Sequence, residues 1–146
     1  MVMAYIITTL PDEQAYRQLF LNTYCNIASP VFTNDGLRVS FSPNNFNHSF
    51  FESSNRRNPT KDVFSIVRAE RILWIKETLE DPTSDLRIGW DNKTKSYDNS
   101  RRVAIVKNDY VVIISIINPT KAIFISAYVA DNSIGKILMS PVWTGI

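Results

Sequence analysis

The chain has 146 residues, 45% of them hydrophobic and 12% aromatic, and carries a net charge of +2. That length can bury one core, so a single domain over residues 1–146 is expected and disorder is excluded. One cysteine (Cys25) and one histidine (His48) exclude an internal disulfide and a Cys-rich zinc site. With no suggestively spaced acidic pair, neither a metal nor a cofactor is expected.

The start, "MVMAYIITTL", is apolar, lacks basic residues and runs straight into a helix-start signal. Neither a signal peptide nor a membrane span is expected from it, and a cytoplasmic protein is the default. Pro11, Asp12 and Glu13 read as a first helical turn with Pro11 at the first helical position; Ala15, Tyr16, Leu19 and Phe20 continue the helix to about Asn26. After a turn at "TNDG" comes a strand, "LRVSF". Ser42 then reads as the N-cap of a short helix through "NFNHSFFES", which puts His48 mid-helix.

"SSNRRNPT" is expected to be a polar loop, and Asp62 to about Glu80 one long helix ended by Asp81-Pro82. Beyond it the period becomes strand-like. "LRIGW" and "RRVAIVK" bracket a long hairpin loop, "DNKTKSYDNS"; "YVVIISII" is apolar on both faces and belongs inside a sheet. Turns at Asn108-Asp109 and "NPT" join it to its neighbours, "KAIFISAY" being the last strand, and a short helix is expected near the C-terminus. The order predicts an α+β domain, with helices packed on one face of an antiparallel sheet.

Charge is unevenly spread. Arg56, Arg57, Lys61, Arg68 and Arg71 outnumber Asp62 and Glu70 by 3, and Arg87, Lys93, Lys95, Arg101, Arg102 and Lys107 outnumber Asp91 and Asp98 by 4. Glu77, Glu80, Asp81 and Asp85 separate the two blocks. Such a polarised surface steers polyanions, although solvated loop and helix faces have the same composition.

On a helical wheel Arg68 and Arg71 share the apolar stripe of Phe64, Ile72, Ile75 and Leu79. Guanidinium groups cannot discard their charge, so three readings stay open. Their stems can snorkel past the core edge, they can pair with Glu70 or an aspartate, or they can line a cleft that takes phosphate. In "KAIFISAY" a two-residue period puts Phe124, Ser126 and Tyr128 on one face. The serine and the phenol there are either hydrogen-bonded at a sheet end or a phosphate clamp.

"FNHSF", "RAERILWIKETLEDP", "GWD", "RRVAIV", "YVVII", "FISAY" and "SPVW", in that order over residues 41–143, resemble the phage-associated nuclease families of the barnase–EndoU–colicin–RelE fold. Ser49 stands where that pattern has alanine, Leu73 where it has proline and Ser126 where it has threonine; the missing proline bears on how Arg71 is aimed. The resemblance implies N-terminal helices packed on a four-stranded antiparallel sheet and metal-independent endoribonuclease activity, with His48, Arg68, Arg71, Ser126 and Tyr128 around one cleft and Trp74 packing or stacking on a base. It also implies a toxin or effector, free-standing or part of a larger protein, with tRNA or mRNA as target and an immunity partner.

In such chemistry the RNA 2′-hydroxyl attacks phosphorus and leaves a 2′,3′-cyclic phosphate. An imidazole, with an ordinary pKa of about 6.5, suits proton transfer. His48 is then the general base, Arg68 and Arg71 hold the phosphate, Ser126 donates to a non-bridging oxygen, and Tyr128 is the acid or a positioning group. Arg56, Arg57, Arg101 and Arg102 would grip flanking phosphates, and Trp90 or Tyr97 would stack a base. A structural histidine, a non-catalytic RNA- or protein-binding module and a structural phage component are the competing expectations.

Overall fold

The computed structural model describes residues 5–53, 61–91 and 96–130, with the backbone alone at 53, 61–62, 88–91 and 96–102. Helix α1 (Glu13–Tyr24) begins where the Asp12 carboxylate accepts a hydrogen bond from the Ala15 amide, 2.9 Å away. Asp12 is therefore the N-cap, and Pro11 lies outside the helix rather than at its first position. Strands β1 (Val31–Phe32) and β2 (Arg38–Ser40) follow, then α2 (Asn45–Phe50). Asn44, not Ser42, caps α2, because Ser42 is used in a preceding turn, its amide donating to Asn45 Oδ1 at 2.7 Å. His48 thus sits in the last turn of a six-residue helix.

The expected helix from Asp62 to Glu80 is broken. Residues Lys61–Phe64 form β4, paired antiparallel with β3 (Phe51–Ser53), and Ser65 accepts from the Arg68 amide to start α3 (Ile66–Ala69). Glu70 to Leu73 form a tighter turn, with the amides of Arg71, Ile72 and Trp74 donating three residues back. Helix α4 (Trp74–Glu80) completes the segment.

Tertiary contacts explain the break. The Tyr24 hydroxyl donates to the Ile72 carbonyl and accepts from the Lys76 amide at 3.1 Å. In a continuous helix those two backbone groups would bond each other; here a phenol from α1 is inserted between them. The Glu70 carbonyl is likewise taken, by the Thr8 amide at 2.8 Å.

The rest is sheet: β5 (Asp85–Asp91), β6 (Ser96–Lys107), β7 (Tyr110–Asn118) and β8 (Lys121–Val129). Strand order is β1-β2-β8-β7-β6-β5, so among the described residues the sheet has six strands, not four. It is not wholly antiparallel either, because β2 runs parallel to β8. The extra strands come from the segment before α2, whose Val31 and Val39 need an apolar sheet face to bury against. β7 is interior, as its two apolar faces predict, and Asn108 takes the left-handed φ of 56° that the tight β6–β7 hairpin requires.

Strands β5 and β6 also reach into the expected hairpin loop, pairing Asp91 with Ser96 across a bulge near Gly89. The C-terminal helix expectation lies outside the described residues.

One face of the sheet carries the helices and the main core. Phe20 is its hub, with the rings of Tyr24, Phe41, Phe46 and Phe50 at 5.2, 6.1, 5.9 and 6.0 Å. Val103, Ile105, Val112, Ile114, Ala122 and Phe124 supply the sheet side of this core. The other face has a smaller cluster of Ala104, Val106, Val111 and Ala130, with Ile113 and Tyr128 against it. Among the described residues no helix is long and apolar enough to cross a membrane.

Candidate functional site

At the far end of β8 lies a cleft of about 300 Å³, toward the small end of ligand sites. Its walls come from four places: Glu52 of β3; Val67 and Arg68 of α3 with Arg71 of the following turn; Tyr110 of β7; and Ala127, Tyr128 and Val129 of β8. The β2 pairing stops at Ile123, so among the described residues this part of β8 has no strand neighbour on the β2 side.

The two arginines differ in their surroundings. Arg68 Nε is 3.3 Å from Glu52 Oε1, in a pair whose side chains are 38% and 50% exposed. A pair that wet contributes on the order of 0–1 kcal/mol, so a ligand can displace it at little cost. Arg71 has no carboxylate partner among the described residues. Its guanidinium carbon lies 5.0 Å from the Trp74 ring centre, one terminal nitrogen donates to the Val67 carbonyl, and its buried Nε has no hydrogen-bond partner there. The contact with the ring restrains the guanidinium, and the donors it leaves unused suit an anion.

Trp74 is itself held firmly. Tyr5 and Tyr110 meet its ring edge to face at 5.6 and 5.4 Å, and its Nε1 donates to the Ile6 carbonyl at 3.1 Å. With one face under Arg71 it serves as packing and as the arginine's platform. Burial raises the phenol pKa of both Tyr110 and Tyr128, and the Arg71 charge opposes that shift at Tyr110. Both stay protonated at neutral pH and are donors.

The structure therefore gathers Arg68, Arg71 and Tyr128 in one cleft, with Trp74 behind them. It does not bring His48 or Ser126 into the lining: His48 is exposed on α2, and Ser126 lies opposite Ile113 on β7. The expected common face of Phe124, Ser126 and Tyr128 is also overturned. The register passes from Ile114–Phe124 to Ile113–Ser126, leaving Ile125 as the extra residue of a bulge. Phe124 enters the helix-side core, whereas Tyr128 joins the cluster on the opposite face, and Ser126 shares that face by register.

Glu52, Val67 and Tyr110 are cleft residues that the sequence patterns did not single out. Val67 is exposed beside Arg68, which only the structure reveals. Arg56 and Arg57 lie outside the described residues. For Trp90, Tyr97, Arg101 and Arg102 only the backbone is described, in β5 and β6. Among the described residues no group of three or more His, Cys, Asp or Glu side chains is gathered as a metal ion would need.

Comparison with protein-family models, curated proteins and solved structures gave no match.

Proposed function

We propose that the protein is a metal-independent endoribonuclease that takes the RNA phosphate in the cleft beside Arg71. The observation that carries this reading is the state of that guanidinium: over the Trp74 ring, with a buried unused donor and no carboxylate partner among the described residues. Arg68 widens the positive region, and the protonated phenols of Tyr110 and Tyr128 add neutral donors at the cleft wall. In the cleavage step the 2′-oxygen bonds to phosphorus as the bond to the 5′-oxygen breaks. His48, exposed on α2 outside the lining, receives the 2′ proton by way of water, and Tyr128 supplies one to the leaving oxygen. The protein acts in this reading as a toxin or effector, held in check by an immunity partner.

A second reading, an RNA-binding module without catalysis, is favoured by the position of His48 outside the cleft lining. One experiment separates the two. Total RNA is incubated with the protein in chelator and the product ends are analysed. Cyclic-phosphate ends that disappear in both His48→Ala and Arg71→Ala support the nuclease. RNA that is bound but left intact supports the binding module.

A further inference from the structure

Among the described residues Glu52 is the one carboxylate lining the cleft, and it is acceptor-only when ionised. Arg68 holds one of its oxygens, Oε1, at 3.3 Å, and among the described residues that contact leaves the second oxygen to accept from a ligand. A carboxylate next to an anion site repels a bare phosphate. It becomes favourable only for a ligand that carries a hydrogen-bond donor beside its negative charge. A ribonucleotide does so, through the 2′-hydroxyl next to its 3′-phosphate; a deoxyribonucleotide does not.

On the basis of RNA binding in this cleft, we propose that Glu52 reads the ribose 2′-hydroxyl and makes the cleft select RNA over DNA. The two arginines then have separate parts. Arg71, held over Trp74, meets the phosphate. Arg68 is a positioning residue that aims Glu52. The discrimination has the form expected where a charged acceptor would otherwise go unused: the ligand lacking the donor pays for a displaced water and meets an uncompensated negative charge.

The test measures the affinity of fluorescently labelled RNA and DNA oligonucleotides of one sequence, in chelator, for the wild type and for Glu52→Ala, Glu52→Gln and Arg68→Ala, each combined with His48→Ala so that the RNA stays uncut. Wild type is expected to prefer RNA by roughly tenfold, the scale of one charge-assisted hydrogen bond. Glu52→Ala brings that ratio close to one, chiefly by strengthening DNA binding and weakening RNA binding. Glu52→Gln, which keeps an acceptor oxygen, retains part of the ratio, and Arg68→Ala lowers it.

Thermal melts of each variant check the fold, and Glu52 is exposed enough for its removal to be tolerated. A wild-type preference that survives Glu52→Ala unchanged, or equal strengthening of RNA and DNA, overturns the proposal while leaving the nuclease reading intact. A wild type that neither binds nor cuts RNA overturns both.

Discussion

Arg71 lies over the ring of Trp74, three residues on across the turn between α3 and α4, the guanidinium carbon 5.0 Å from the ring centre. A lysine ammonium cannot lie flat on the indole and present a planar fork at the same time. Arg71→Lys is therefore expected to weaken RNA binding on the order of tenfold, with little change in melting temperature. Fluorescence anisotropy with a labelled RNA, repeated over a salt series, measures it; equal affinities would show that charge alone matters at this position.

The Tyr24 hydroxyl stands between the Ile72 carbonyl and the Lys76 amide. Tyr24→Phe removes it and leaves two backbone groups to find new partners, at a cost of about 2 kcal/mol in urea unfolding. As those groups draw together the turn tightens toward a continuous helix, which moves Arg71 off its platform, so RNA affinity falls too. An unaltered urea midpoint would count against the inserted-phenol account.

Ser49 is buried in α2, and its hydroxyl has no hydrogen-bond partner among the described residues. Ser49→Ala removes a desolvated polar group and adds helix propensity, so a gain of about 1 kcal/mol is expected. Denaturant titration reads the change, and a loss of stability would mean that the hydroxyl is bonded in solution.

Acid stability has opposing contributions at the two ends of one helical turn. Hydrogen bonds from Thr83 are the main cause holding the Asp81 carboxyl below its ordinary 3.8, helped by the Lys107 charge. A depressed folded value means stabilisation present above about pH 4 and lost as pH falls through that folded value. Burial raises Glu77 above its ordinary 4.5, so its contribution is present below that value and fades as pH rises through the folded one. Urea midpoints followed from about pH 7 to about pH 2 should flatten at the acid end in Asp81→Asn and flatten just above 4.5 in Glu77→Gln.

Much of the frame was legible in the residues. The presence of α1, the apolar run of β7, the Asn108 turn and the split between helical and strand-like halves all follow local rules. What escaped was set by contacts distant in sequence. Nothing near Ile72 announces that Tyr24 will part the helix there, so a wheel drawn from Asp62 to Glu80 misplaces everything before the break. The Ile125 bulge hides likewise, because one unpaired residue reverses the parity of all that follow. Of the site, Arg68, Arg71 and Tyr128 were readable as a charged pair and a strand-end phenol. Glu52 was not, because only the β3–β4 pairing carries it across to Arg68.

The parallel pairing of β2 with β8 joins Arg38 to Lys121, so an early strand waits for the last one. On the ribosome, α1 and β2 emerge long before the edge they dock on exists, whereas the β5-to-β8 meander can assemble from neighbours. Closing so long a loop is an entropic cost met at the end of folding. Synthesis of the final strand is then the event that commits the chain, and a nascent protein stalled before residue 121 should remain an open substrate for proteases.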